Sequence, residues 1–167
     1  KYAVCYWPWK VGGPFTLEDC RWSAPTLNRM GEVCRDYGVS LCWHNHDKEF
    51  ATMEEGRPFD YLMQHTDPEL VQCELDVFWA AKGGADPLDC LKQYPGRYPV
   101  LHLKDMTADE ERTFTCVGDG IIDFPEILKE ARQQRIRHFM IEYDKVVDGM
   151  ACLDSAMNYL RSLNQPS

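Results

Sequence analysis

No apolar run in this sequence approaches the ~20 residues that would span a bilayer, so no membrane association is expected. Basic residues are also few. The 18 Lys and Arg are outnumbered by 27 Asp and Glu, leaving a net charge of −9. Nucleic-acid binding needs a basic face to neutralise phosphates, so that class of partner is not expected. Linkers and low-complexity stretches are missing, and 167 residues with 44% apolar composition suit one domain over residues 1–167. The eight cysteines, at positions 5, 20, 34, 42, 73, 90, 116 and 152, contain no C-x-x-C pair. Their density is below that of a disulfide scaffold, and Cys5, Cys42 and Cys73 fall in apolar runs where free Cys acts as a small buried hydrophobe. Reduced thiols in a cytoplasmic setting are therefore expected. The sequence opens on Lys1 within a strand-like run, so a missing N-terminal segment is expected, and any export signal with it.

What is present is an alternation of short β-rich runs and longer helical ones. Strands are predicted at Tyr2–Trp7 (closed by Pro8), Val39–His44, Leu70–Asp76, Tyr98–Leu103 and His138–Glu142. Helices are predicted from Thr16 to Gly38, around Phe59–His65 and Pro87–Gln93, after Asp123, and from Ala151 to Leu163. Acidic Glu18 and Asp19 suit the positive end of the first helix, and Gly38 suits its C-terminal cap. Five consecutive βα units imply an α/β fold with a parallel sheet, either doubly wound or part of an eight-unit (β/α) barrel.

In parallel α/β folds the chemistry sits at the C-terminal ends of the strands. Four of the five strands end in metal-ligand types: His44-Asn45-His46, Asp76, His102-Leu103-Lys104 and Glu142-Tyr143-Asp144. Strand alternation puts His44 with His46, His102 with Lys104 and Glu142 with Asp144. The same alternation means that the contiguous His44-Asn45-His46 cannot converge as the residues of HNH nucleases do. Two imidazoles and two carboxylates suit one divalent ion: Mn²⁺, Zn²⁺, Co²⁺, Fe²⁺ or Mg²⁺. Val117-Gly118-Asp119-Gly120 ahead of a helix reads either as an anion-binding loop or as a plain tight turn.

The stretches Trp43–Phe50, Glu74–Trp79 with Gly83–Pro87, Leu101–Asp105, Val117–Phe124 and Ile141–Asp144 together resemble the sugar phosphate isomerase/epimerase family. The resemblance implies a xylose isomerase-like TIM barrel, represented here by five βα units, with three N-terminal units absent. It also implies a divalent ion held by His44, Asp76, His102 and Glu142. Position 44 departs from the family, whose epimerases carry there a glutamate that pairs with the last-strand glutamate as acid and base. Trp79 stands where the epimerases have a substrate-binding histidine.

The leading functional expectation is a metal-dependent isomerase or epimerase of a sugar, keto-sugar or sugar phosphate, working through an enediolate. An inosose dehydratase-like hydro-lyase is the alternative, and a partial barrel without activity of its own is a third reading. An endonuclease IV-like phosphodiesterase fits poorly with the acidic charge. Glu142 is the expected base, with His46 and Lys104 as further acid/base candidates and Glu49 a weaker one. Trp79, Lys104 and Asp144 are the expected substrate contacts. The expected partner is a small sugar, and open sheet edges would lead to self-association or completion by another chain if no further units precede Lys1.

Overall fold

The computed structural model describes residues 1–6, 13–144 and 148–163. Five strands form one parallel sheet in the order in which they occur along the chain: β1 (Tyr2–Cys5), β2 (Ser40–His44), β3 (Val71–Asp76), β4 (Val100–Leu103) and β7 (His138–Ile141). Helices α1 (Leu17–Asp36), α2 (Pro58–His65), α3 (Val77–Lys82), α4 (Pro87–Gln93), α5 (Phe124–Gln133) and α6 (Gly149–Ser162) make the crossovers and the final turn. A small antiparallel pair, β5 (Asp105–Met106) with β6 (Phe114–Thr115), stands apart from the sheet. The result is a half-barrel of the expected α/β type. The predicted Trp7 and Pro8 at the end of the first strand lie outside the described residues.

Local chemistry places the element ends. Thr16 and Asp19 cap α1 reciprocally, each side chain bonding the other's backbone N–H. The helix continues through Pro25, with Cys20, Ala24 and Leu27 buried along one side. Asp86 and Asp123 cap α4 and α5, each followed by a proline within the first two helical positions.

Strand parity sorts the two faces of the sheet. Leu41, Trp43, Val71, Cys73, Leu75, Leu101 and Leu103 turn outward into the layer between sheet and helices, where all are at most 2% exposed. Trp43 packs there on Phe59, which stacks on Phe50. The opposite parity turns His44, Glu74, Asp76, His102 and Lys104 to the concave side. At the two edges this concave side carries exposed apolar residues, among them Val4 and Met140.

One expectation is corrected. Cys116 and Cys152 form a disulfide that ties the loop after β6 to α6. The other six cysteines form no disulfide, as expected for reduced thiols. Spacing alone could not show this pair, because 36 residues separate the partners in sequence. Helix α3 was also unforeseen. It starts directly at Val77 because Asp76 Oδ1 accepts the N–H of Trp79, at 2.9 Å.

Candidate metal centre

The C-terminal ends of β2, β3 and β4 bring His44, Asp76 and His102 together, with one donor atom of each lying within 4.8 Å of the others. Register makes this happen: His102 is the direct partner of Asp76, and His44 that of Glu74. Asn45 faces the other way and clips the arrangement. Its side chain donates to Asp76 O and accepts from Asp76 N, as a strand neighbour would.

The donor spacing fits a shared ion. His44 Nε2 and His102 Nδ1 lie 3.6 and 3.7 Å from Asp76 Oδ2. Those separations are too long for hydrogen bonds, and close to the ~3.0–3.5 Å between donors that each stand ~2.1 Å from one ion. Asp76 Oδ2 and His102 Nδ1 are buried with no hydrogen-bond partner, although buried polar atoms rarely go unpaired. A divalent cation would satisfy both.

Around this trio the other expected residues are placed unevenly. Glu142 stands outside it: its Oε2 lies 2.5 Å from His102 Nε2 and 3.2 Å from Lys104 Nζ. Lys104 also reaches Asp144 at 3.2 Å and Asp76 at 3.5 Å. His46 packs against the His44 ring on one side and Trp79 on the other. Val4, His44, His46, Glu74, Trp79, His102, Lys104, Glu142 and Asp144 contribute to the walls of a single cleft of about 300 Å³. Glu49 is not among them. It is fully buried, and its Oε2 accepts the His46 N–H.

Burial and charge set the protonation states. Burial, helped by neighbouring His44 and Lys104, pushes His102 down to about 4, and burial with His44 does the same to His46. Both rings are thus neutral and able to donate a lone pair. Burial raises Asp76 to about 6 against the pull of His44 and Lys104. Burial and the Asp144 carboxylate raise Glu142 above the usual carboxylate range. Burial works against the Lys104 ammonium, but Asp76, Glu142 and Asp144 outweigh it and raise its pKa.

The sequence reading missed Glu74, whose side chain is 7% exposed and faces both imidazoles. Its position two residues before Asp76 was the available signal. The glycine loop has a different role from the anion site considered above. Asp105, 1% exposed, accepts the N–H groups of Gly118, Gly120 and Ile122 at 2.9–3.1 Å, and the loop closes on it. Gly118 has φ +101, and a Cβ there would strike the Tyr159 ring.

A family model described as xylose isomerase-like TIM barrel matches residues 4–163. The chain belongs to this family. An inosose dehydratase of Geobacillus kaustophilus is 34% identical over 129 residues, covering 66% of this chain and 41% of that protein. The inosose dehydratase of Clostridium tetani is 30% identical over 159 residues, covering 77% and 52%. A sugar phosphate isomerase/epimerase structure from Parabacteroides distasonis superposes with a TM-score of 0.80 at 25% identity, covering 96% of this chain and 57% of that one. The chain spans less than two thirds of each of these relatives. Among the described residues no helix is long and apolar enough to cross a membrane.

Proposed function

We propose that this protein is a divalent-metal-dependent enzyme acting on a keto-sugar or keto-polyol by removing a proton beside the carbonyl. The observation that carries this reading is the meeting of His44, Asp76 and His102, two of them with orphaned buried donors, beside Glu142 and Lys104. A divalent ion held by these three residues would polarise the carbonyl and stabilise the negative charge developing on its oxygen. Glu142 is the base. Its side chain is 43% exposed to the cleft, and its raised pKa brings it nearer the operating pH than an ordinary carboxylate. Lys104 keeps its proton and offers an ammonium to a substrate hydroxyl, while Asp144 holds it in place. Trp79 stands beside His46 as a flat surface for one face of the sugar.

Dehydration is the reaction these residues support best. With His44 in place of a second carboxylate, an epimerase-type shuttle lacks one of its two acids. His46, neutral down to about pH 4, is a poor proton donor on the other side. Loss of water needs a single base: Glu142 takes the C–H proton and returns it to the departing hydroxyl, leaving the carbon–carbon double bond of an enol. The inosose dehydratase relatives favour this reading. The Parabacteroides distasonis structure favours isomerisation or epimerisation, which shares the first step.

The test is to incubate the metal-loaded protein with a keto-inositol and a panel of ketoses in D₂O, followed by mass spectrometry. Loss of water supports dehydration, and deuterium uptake without loss of water supports isomerisation or epimerisation. Neither change with any keto-substrate would sink the proton-abstraction reading.

A further inference from the structure

Glu74 lies on β3 with its side chain on the concave side, in direct register with His44 on β2. Its two oxygens are divided between the imidazoles. Oε2 is 3.7 Å from His44 Nδ1, and Oε1 is 3.8 Å from His102 Nδ1. Asp76 Oδ2, by contrast, is approached by His44 through Nε2 and by His102 through Nδ1. The two rings therefore turn different nitrogens toward Asp76. The nitrogen of His102 facing away, Nε2, meets the Glu142 carboxylate. The nitrogen of His44 facing away, Nδ1, has Glu74 Oε2 at 3.7 Å, within ion-pair range and beyond that of a hydrogen bond. Each imidazole has a carboxylate behind it.

That pattern has a chemical meaning at an ion site. An imidazole ligand needs one nitrogen bare and carries its proton on the other, and a carboxylate beside the protonated nitrogen decides which is which. A glutamate at position 44 would need no such partner, because its two oxygens are equivalent. A histidine there has two inequivalent nitrogens on opposite edges of the ring, and one must be chosen.

We propose that Glu74 is the positioning residue of the ion site: it keeps the proton of His44 on Nδ1 and leaves Nε2 as the donor beside Asp76. This inference rests on the metal reading above. It also predicts opposite protonation patterns for the two histidines, with His44 protonated on Nδ1 and His102 on Nε2. A buried carboxylate that merely packs β2 against β4 would impose no such choice.

The test uses the ¹⁵N-labelled protein loaded with Zn²⁺ and long-range ¹H–¹⁵N correlation of the imidazole rings, which reports the protonated and the metal-bound nitrogen. The expected result is His44 bound through Nε2 and His102 through Nδ1. Glu74→Gln, which keeps an acceptor, should weaken zinc about 10-fold, and Glu74→Leu, which removes it, about 100-fold, with one ion per chain retained in both. His44 bound through Nδ1, or zinc affinity within threefold of the parent in Glu74→Leu, would overturn the proposal while leaving the metal reading intact. A parent protein that binds no zinc would overturn both. The assignment is made on the parent protein, so it stands even if a variant fails to fold.

Discussion

His102 Nε2 and Glu142 Oε2 lie 2.5 Å apart, so an imidazole from β4 and a carboxylate following β7 meet directly at the edge of the ion site. Glu142 therefore braces an imidazole of the candidate metal centre and faces the cleft as well. If it is the base rather than a ligand, Glu142→Gln should lower turnover by roughly 10²–10⁴-fold while metal content stays near that of the parent. Elemental analysis alongside single-turnover rates checks this. Loss of the ion together with activity would return Glu142 to the ligand set.

Lys104 sits against Asp76, Glu142 and Asp144 and draws down the pKa of Glu142. Lys104→Met should raise that pKa further. Because the base must be ionised, the acidic limb of the pH–rate profile should move to higher pH. An unmoved limb, with rate lost equally at every pH, would assign Lys104 to substrate binding alone.

Asp105 accepts four backbone N–H groups, from Met106, Gly118, Gly120 and Ile122. Asp105→Asn places an amide NH₂ where an acceptor is needed and should cost about 3 kcal/mol. Chemical denaturation measures the loss, and faster amide exchange at Gly118 and Gly120 should accompany it.

Burial holds Glu49 well above the usual carboxylate range. Its protonated form therefore stabilises the fold at low pH, and that contribution is lost as pH rises through the folded-state value. Glu49→Gln lacks this loss, so its melting temperature should gain on the parent's from pH 5 to pH 8. A constant difference would show that Glu49 does not titrate differently on folding.

The Cys116–Cys152 bridge closes a loop of 36 residues. In the chain-entropy account its removal costs about 3–4 kcal/mol. Cys116→Ser should lower the denaturation midpoint by a corresponding amount. Non-reducing peptide mapping should recover the 116–152 pair and leave the other six thiols open to alkylation after unfolding.

Much of this arrangement was legible in the chain because parity is a local property. Strand alternation pairs His44 with His46 and His102 with Lys104, and the structure turns both pairs to the cleft. Asp76 Oδ1 caps α3, which leaves Oδ2 turned toward the imidazoles. What escaped depended on register and on distant contacts. Glu74 gains its meaning only from lying opposite His44, a pairing fixed by the register of two strands whose partners are 30 residues apart. The β5–β6 pair, two residues per strand, is too short for a periodic signal. The disulfide joins segments whose approach depends on where α6 packs.

The closure of the Gly118–Gly120 loop around Asp105 decides what its backbone amides can bind. Backbone amides arranged in this way are a natural receptor for a phosphoryl group, but here the chain supplies its own anion to them. An incoming phosphate ester would have to evict a buried carboxylate before gaining those hydrogen bonds. The three amides of this loop are thus already engaged by the chain's own carboxylate and offer no free donor to an incoming anion.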